Sequence, residues 1–201
     1  MGDVNLTELF NILFRWFHVV FGIMWIGLLY FFNFVNANFA KTMDAETKKK
    51  VVPELMPRAL YFFRWAAMIT FILGLALLYI NYLGPTASSS LVGNSRGHWI
   101  SFGALLGTIM WFNVWFVIWP SQRKIINGVK TGTPAAPEII TRAANFSKYN
   151  VYLSVPMTFG MLAAGGHFLH DEWYWYVGVL ALGYFTASGL YKHGAKVATE
   201  V

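Results

Sequence analysis

Long apolar stretches separated by short polar segments dominate the pattern of this chain. Five stretches reach the ~20 mostly apolar residues that a helix needs to cross about 30 Å of hydrocarbon. They lie at about 9–35, 58–83, 97–119, 148–170 and 173–191. Because the interior of a bilayer offers no partners for backbone N–H and C=O groups, each stretch is expected to be helical. The pattern therefore predicts an all-α integral membrane protein, a bundle of about five transmembrane helices.

The composition agrees with this assignment. Of the 201 residues, 57% are hydrophobic and 12% are charged, and the mean hydropathy is +0.49. A soluble domain has about 45–50% apolar and roughly 25% charged residues. The segments between the stretches are too short for an extramembrane catalytic domain, so we expect a single transmembrane domain over 1–201 with the lipid bilayer as a partner. The amino terminus lacks a positively charged region, which favours a retained first helix over a cleaved signal peptide.

The basic residues predict the orientation. They follow the first, third and fifth stretches and comprise Lys41, Lys48, Lys49, Lys50, Arg58, Arg123, Lys124, Lys130, Arg142, Lys148, Lys192 and Lys196. Only Arg15 and Arg96 lie on the other side. The positive-inside rule therefore places the two basic loops and the C-terminus in the cytoplasm, and the N-terminus in the periplasm of a bacterial inner membrane. This placement accounts for the formal charge of +6 and argues against a nucleic-acid partner.

Two further side-chain patterns concern packing. Trp111, Trp115 and Trp119 recur at helical spacing and form one aromatic stripe, which we interpret as a packing or anchoring surface. Asn33 and Asn113 are polar residues inside apolar stretches, and we expect them to form hydrogen bonds across helices.

The chain contains no cysteine. This excludes disulfides, thiolate metal sites, iron–sulfur clusters and covalent attachment of c-type haem. Any redox centre must therefore be held by histidine, methionine or carboxylate groups, or lie on another chain.

The histidines are the candidate ligands. An ionisable residue as deep in an apolar stretch as His18 is costly unless it faces the protein interior and has a partner. In the predicted orientation His18, His98, His167 and His170 lie in the outer half or at the outer surface, and His193 lies on the cytoplasmic side. Imidazoles on facing helices can bind haem iron. We therefore take His18 and His167 as the metal-ligand candidates and His98 as a reserve, against the alternative of hydrogen-bonded structural histidines.

Depth and charge bear on this hypothesis. With a rise of ~1.5 Å per residue, His18 lies about 12 Å and His167 about 5 Å below the outer surface, a difference that tilt or a later helix end would remove. Arg15 and Arg96 are the cations on the same side. They are candidates for binding haem propionates, with snorkelling to the interface as the alternative.

Segments of four stretches carry a family resemblance in sequence order. They are the run from Trp16 to Val35, the strings Arg58-Ala59-Leu60 and Phe63-Arg64-Trp65, the run from Gly107 to Pro120, and Leu153 to Met157 with the helix ending in His167. Together they resemble the membrane domain of bacterial membrane-bound urate oxidases, the urate oxidase N-terminal family. The resemblance implies that His18 and His167 occupy motif positions of the family and that the chain is associated with urate oxidation.

That family usually carries a c-type cytochrome domain after its membrane domain, so this cysteine-free chain resembles a short form without it. We expect a redox protein, either a urate-oxidase-like oxidoreductase or an electron-transfer subunit, that binds b-type haem between helices near the periplasmic face. Its electron partner would be a separate cytochrome c or a larger respiratory or photosynthetic complex, and an oligomer is compatible with the sequence. The alternatives are a haem-free accessory or structural subunit, and a transporter or metal-handling protein whose histidines bind copper.

Overall fold

The computed structural model describes residues 5–85 and 87–197, and every regular element in these ranges is helical. The long helices are α1 (Leu6–Thr42), α2 (Ala45–Leu83), α3 (Ser95–Thr131), α4 (Pro137–Leu162, extended by the π-helical turn Ala163–His167) and α5 (Trp173–Val197). This confirms an all-helical fold of about five helices. Within the described ranges, α1, α2 and α3 are long and apolar enough to cross a membrane.

Polar residues fix where α1, α2 and α3 begin. Asn5, Asp44 and Asn94 immediately precede these helices, and each side-chain oxygen accepts a hydrogen bond from a backbone N–H two or three residues later, at 2.8–3.0 Å. Such caps satisfy backbone donors that have no partner within the helix. The helix α2 therefore starts well before the apolar stretch predicted at about 58–83 and includes the preceding basic segment.

Four of the helices contain a π-helical turn, which the apolar pattern does not predict. These turns span Phe31–Asn36, Tyr79–Leu83, Asn113–Ile118 and Ala163–His167. A π-helical turn widens the helix locally and changes which side chains face a neighbour beyond it. The turns in α1 and α3 contain the polar residues Asn33 and Asn113.

One buried apolar cluster draws residues from all of α1 to α5. Its members include Trp25, Leu29, Leu60, Phe63, Ala67, Met110, Val114, Val151 and Ala187. Glycine permits a close approach of α3 and α4: a Cβ at Gly160 would lie 3.0 Å from the backbone nitrogen of Gly103. Small residues at such crossings let membrane helices pack backbone to backbone.

Hydrogen bonds join the helices inside this core. The amide of Asn113 donates to the side-chain oxygen of Asn150 at 2.8 Å, and Asn150 donates to the carbonyl of Met110 at 3.0 Å. The hydroxyl of Tyr191 donates to the side-chain oxygen of Asn33 at 2.8 Å. The prediction that Asn33 and Asn113 bond across helices is confirmed.

The tryptophan stripe of α3 packs against α2. Trp111 stacks on Phe71 with ring centres 4.2 Å apart, and Trp115 meets Trp65 edge-on at 5.5 Å. The indole N–H of Trp115 also donates to the carbonyl of Arg64 at 3.1 Å. The stripe is therefore a packing surface between these two helices.

The end of α4 differs from the prediction, which extended the fourth stretch to about 170. The helix ends at His167 because Gly166 has φ +90°, and Phe168 is extended. A left-handed φ is accessible to glycine and costly for other residues. His170 consequently lies in the loop that leads to α5.

Candidate functional site

His18 lies half-buried at the contact between α1 and α2. Its Nδ1 is 2.9 Å from the backbone carbonyl oxygen of Thr70. A carbonyl can only accept a hydrogen bond, so Nδ1 of the neutral ring carries the proton and Nε2 keeps its lone pair. Histidines that bind metals commonly show this arrangement, with one ring N–H donating to a carbonyl or carboxylate and the other nitrogen available as a ligand.

A glycine of α2 provides the space for this ring. A Cβ at Gly74 would lie 3.1 Å from Cε1 and 3.5 Å from Nδ1 of His18. Gly74 follows Thr70 by one helical turn, so the imidazole lies across this turn of α2. The hydroxyl of Thr70 is buried and has no hydrogen-bond partner in the described part of the chain.

Arg15 lies one turn before His18 on α1 and is exposed. Its guanidinium donates to the side chain of Asn11 at 3.3 Å, and Asn11 donates to the side chain of Asn81 on α2 at 2.7 Å. These bonds hold the cation beside the same α1–α2 contact that carries His18.

His167 is exposed at the last turn of α4. A Cβ at Gly165 would lie 3.2 Å from Cδ2 of His167, so the neighbouring glycine leaves room for the ring. Gly166, which lies between Gly165 and His167, turns the backbone with its positive φ. Among residues 5–85 and 87–197, nothing forms a hydrogen bond with the imidazole.

The start of α3 is tied to this end of α4 and to the loop after it. The Nε of Arg96 donates to the carbonyl of Ala164 at 3.2 Å, which lies within the π-helical turn that ends in His167. Nδ1 of His98 donates a hydrogen bond to the carboxylate of Asp171. This contact orients the imidazole of His98 through a carboxylate, in the same way that the Thr70 carbonyl orients His18.

His170 contributes mainly through its backbone. Its carbonyl accepts a hydrogen bond from the indole of the fully buried Trp99 at 2.8 Å. Its exposed ring meets Phe168 edge-on, with centres 5.5 Å apart. His193 lies exposed near the end of α5, apart from these contacts.

The candidate residues thus fall into two groups. Arg15 and His18 belong to the α1–α2 contact, whereas Arg96, His98 and His167 belong to the contact between α3 and the end of α4. In the described ranges no hydrogen bond, ion pair or ring contact joins the two groups. Nor do those ranges contain a cluster of three or more histidine, aspartate or glutamate residues that could hold a metal ion. Haem is compatible with this arrangement because its iron needs only one or two axial side chains.

Sequence reasoning did not identify Thr70, Gly74 or Asp171 as parts of these groups. Thr70 acts through its backbone carbonyl and Gly74 through the absence of a side chain, and neither leaves a recognisable pattern. The sequence could have indicated Asp171, because a carboxylate in an outer loop rich in histidine is a natural hydrogen-bond partner for an imidazole.

The profile of the family described as urate oxidase N-terminal matches residues 4–50 and 88–193. The matched segments contain all five candidate residues, whereas Thr70 and Gly74 lie between them. Comparisons with curated proteins and with solved structures give no match. Because the match covers most of the chain, this protein belongs to the urate oxidase N-terminal family.

Proposed function

We propose that the protein is a membrane redox subunit in which His18 would hold the iron of b-type haem. The observation that supports this role is the hydrogen bond from Nδ1 of His18 to the Thr70 carbonyl, which leaves Nε2 free to bind iron. Haem, when bound, supplies reversible one-electron transfer. The 201 residues contain no cysteine to attach the c-type haem of the family's usual cytochrome domain, so electron transfer to a separate partner fits better than autonomous urate oxidation.

The neighbouring residues have separate roles in this proposal. The Thr70 carbonyl holds the imidazole in the tautomer that can ligate, and Gly74 keeps the ring close to α2. Arg15 supplies a cation one turn away for a propionate. His167 or His98 would supply a second histidine to hold the haem, with Arg96 as the cation of that group.

The surrounding topology is part of the same proposal. We place five spans in the inner membrane of a bacterium, with the N-terminus in the periplasm, on the strength of the asymmetric distribution of lysine and arginine. The site then lies on the periplasmic side. Electrons would pass to or from a separate cytochrome c or a larger respiratory or photosynthetic complex, with urate as one candidate donor.

A haem-free accessory subunit is the second candidate, and one observation favours it. The Thr70 bond and the tight fit over Gly74 make His18 a cross-link between α1 and α2 even without a cofactor. A copper site has less support, because the histidines form two groups and copper ordinarily needs several nitrogen or sulfur donors together.

A reduced-minus-oxidised absorption spectrum of the purified full chain, expressed with sufficient haem supply, tests the proposal. We expect a Soret band with sharp α and β bands on reduction, lost in His18→Ala and retained in the control His193→Ala. A colourless wild-type protein would reject the redox assignment in favour of the accessory subunit. Unchanged spectra in His18→Ala would reject His18 as a ligand, and copper analysis of the same sample tests the third candidate.

A further inference from the structure

Arg64 is a partly buried cation of α2 that faces aromatic rings instead of an acid. Its guanidinium carbon lies 4.0 Å from the ring centre of Trp119 and 5.8 Å from those of Trp115 and Tyr61. Its Nε is buried without a hydrogen-bond acceptor, and no carboxylate within residues 5–85 and 87–197 forms an ion pair with it. The aromatic rings therefore hold the guanidinium while its charge stays unmatched.

An unmatched charge in an apolar helix needs an explanation. Charged residues in membrane segments are costly and are retained where they meet a partner or reach the interface. Aromatic faces attract a cation, but they do not accept the five N–H bonds that a guanidinium can donate. The planar donor fork suits a phosphate group, which it can bind through two hydrogen bonds.

The surroundings of Arg64 are those of a residue near the lipid headgroups. Trp65 and Trp115 pack edge-on beside it, and belts of tryptophan and tyrosine mark membrane–water interfaces. The basic segment of α2 ends at Arg58, less than two helical turns before Arg64, and Arg123 follows Trp119 on α3 by about one turn. A lipid phosphate is therefore an available partner at this depth.

An apolar groove adjoins the same aromatic cluster. It is an open groove of about 350 Å³, lined by Phe21 and Met24 of α1 and by residues of α2 that include Tyr61, Phe62 and Trp65. Tyr61 lines this groove and also faces the guanidinium of Arg64. The cation and the groove are therefore neighbours through Tyr61, as the phosphate head and the apolar chain are in one lipid molecule.

We propose that Arg64 binds the phosphate of an anionic phospholipid, with an acyl chain of that lipid in the groove between α1 and α2. An anionic lipid is favoured over a zwitterionic one because the latter carries its own ammonium group, which offsets the attraction to an unmatched cation. The proposal rests on membrane insertion and is independent of haem at His18.

Native mass spectrometry of the delipidated full chain, titrated with phosphatidylglycerol or phosphatidylcholine, tests this site. We expect tighter binding of the first phosphatidylglycerol than of phosphatidylcholine. In Arg64→Gln the apparent Kd for phosphatidylglycerol should rise about five-fold, the effect of one basic side chain near a lipid surface. Arg58→Gln is the matched control, because Arg58 lies on the same helix, is exposed and is already paired with Glu54 at 2.7 Å.

A second variant keeps the test decisive if Arg64→Gln fails to fold. Met24→Trp fills the groove from an exposed position and leaves Arg64 in place, and it should also weaken phosphatidylglycerol binding relative to the wild type. Equal binding of the two lipids, or unchanged phosphatidylglycerol binding in a folded Arg64→Gln, would overturn the proposal. Displacement of the lipid by millimolar inorganic phosphate would indicate a free-phosphate site and overturn it as well. The haem spectrum is read separately, so failure here does not affect the redox assignment.

Discussion

Nδ1 of His18 donates a hydrogen bond to the backbone carbonyl of Thr70, 2.9 Å away across the contact between α1 and α2. The contact satisfies one nitrogen of an imidazole within an apolar helix and leaves the other available. It therefore serves helix packing and ligand orientation together, and experiments must separate the two roles.

Gly74→Ala should destabilise the α1–α2 contact. The added Cβ would lie 3.1 Å from Cε1 of His18, and overpacking of this kind costs about 1–3 kcal/mol. Thermal unfolding in detergent measures the loss. Gly27→Ala is the matched control, since nothing lies within 4 Å of its added Cβ and alanine favours the helix. Equal melting temperatures for the two variants would show that His18 does not pack on Gly74.

Asn150→Ala should weaken the α3–α4 contact. Asn150 is fully buried, and its removal leaves the side-chain amide of Asn113 without its acceptor. The carbonyl of Met110 loses one of its two donors and keeps the backbone N–H of Asn113. Interhelical hydrogen bonds in membranes contribute about 0.6 kcal/mol each on average and up to ~1.7 kcal/mol. We expect a loss of about 1–2 kcal/mol in a reversible unfolding assay. The exposed Asn145 of the same helix gives the control, and a similar loss in Asn145→Ala would contradict the assignment.

Gly166→Ala should disturb the end of α4. A non-glycine residue at φ +90° costs about 1–2 kcal/mol, so the turn that carries His167 should loosen and the melting temperature should fall. Gly178→Ala on α5 is the control, because its Cβ would meet nothing within 4 Å. If His167 binds haem, the reduced spectrum of Gly166→Ala should also shift. A destabilised protein with an unaltered haem spectrum would show that His167 does not hold the haem.

The sequence was sufficient for the helices and for some of their contacts. Apolar length predicted the apolar parts of α1 to α3, but α2 begins before its predicted stretch and α3 continues past about 119 to Thr131. Isolated asparagines within these stretches predicted the interhelical bonds of Asn33 and Asn113. The π-helical turns were not predictable, because one extra residue in a turn barely alters an apolar pattern that is hydrophobic on most sides. The end of α4 was predictable in part, since Gly165-Gly166 before His167 is a helix-ending signal.

The candidate site was less accessible to sequence reasoning. The histidines and arginines could be named from their types and positions, but their division into two groups depends on which helices touch. The partner of His18 is a backbone carbonyl, which any residue at position 70 could supply, so no side-chain pattern reveals it. His98 and Asp171 meet only because the loop after α4 folds back onto the start of α3.

The orientation is testable with single cysteines, because the natural chain has none to give background labelling. We expect Ser88→Cys, in the loop between α2 and α3, to react with a membrane-impermeant maleimide in intact spheroplasts. Thr133→Cys, in the loop between α3 and α4, should react only after lysis. Both positions are exposed, so a difference in labelling reports the membrane side and not burial. The reverse pattern would invert the orientation drawn from the positive-inside rule and move the His18 site to the cytoplasmic side.

The same labelling at Glu172→Cys decides whether α4 and α5 cross the membrane. Labelling together with Ser88→Cys supports five spans, and labelling together with Thr133→Cys reduces the number to three.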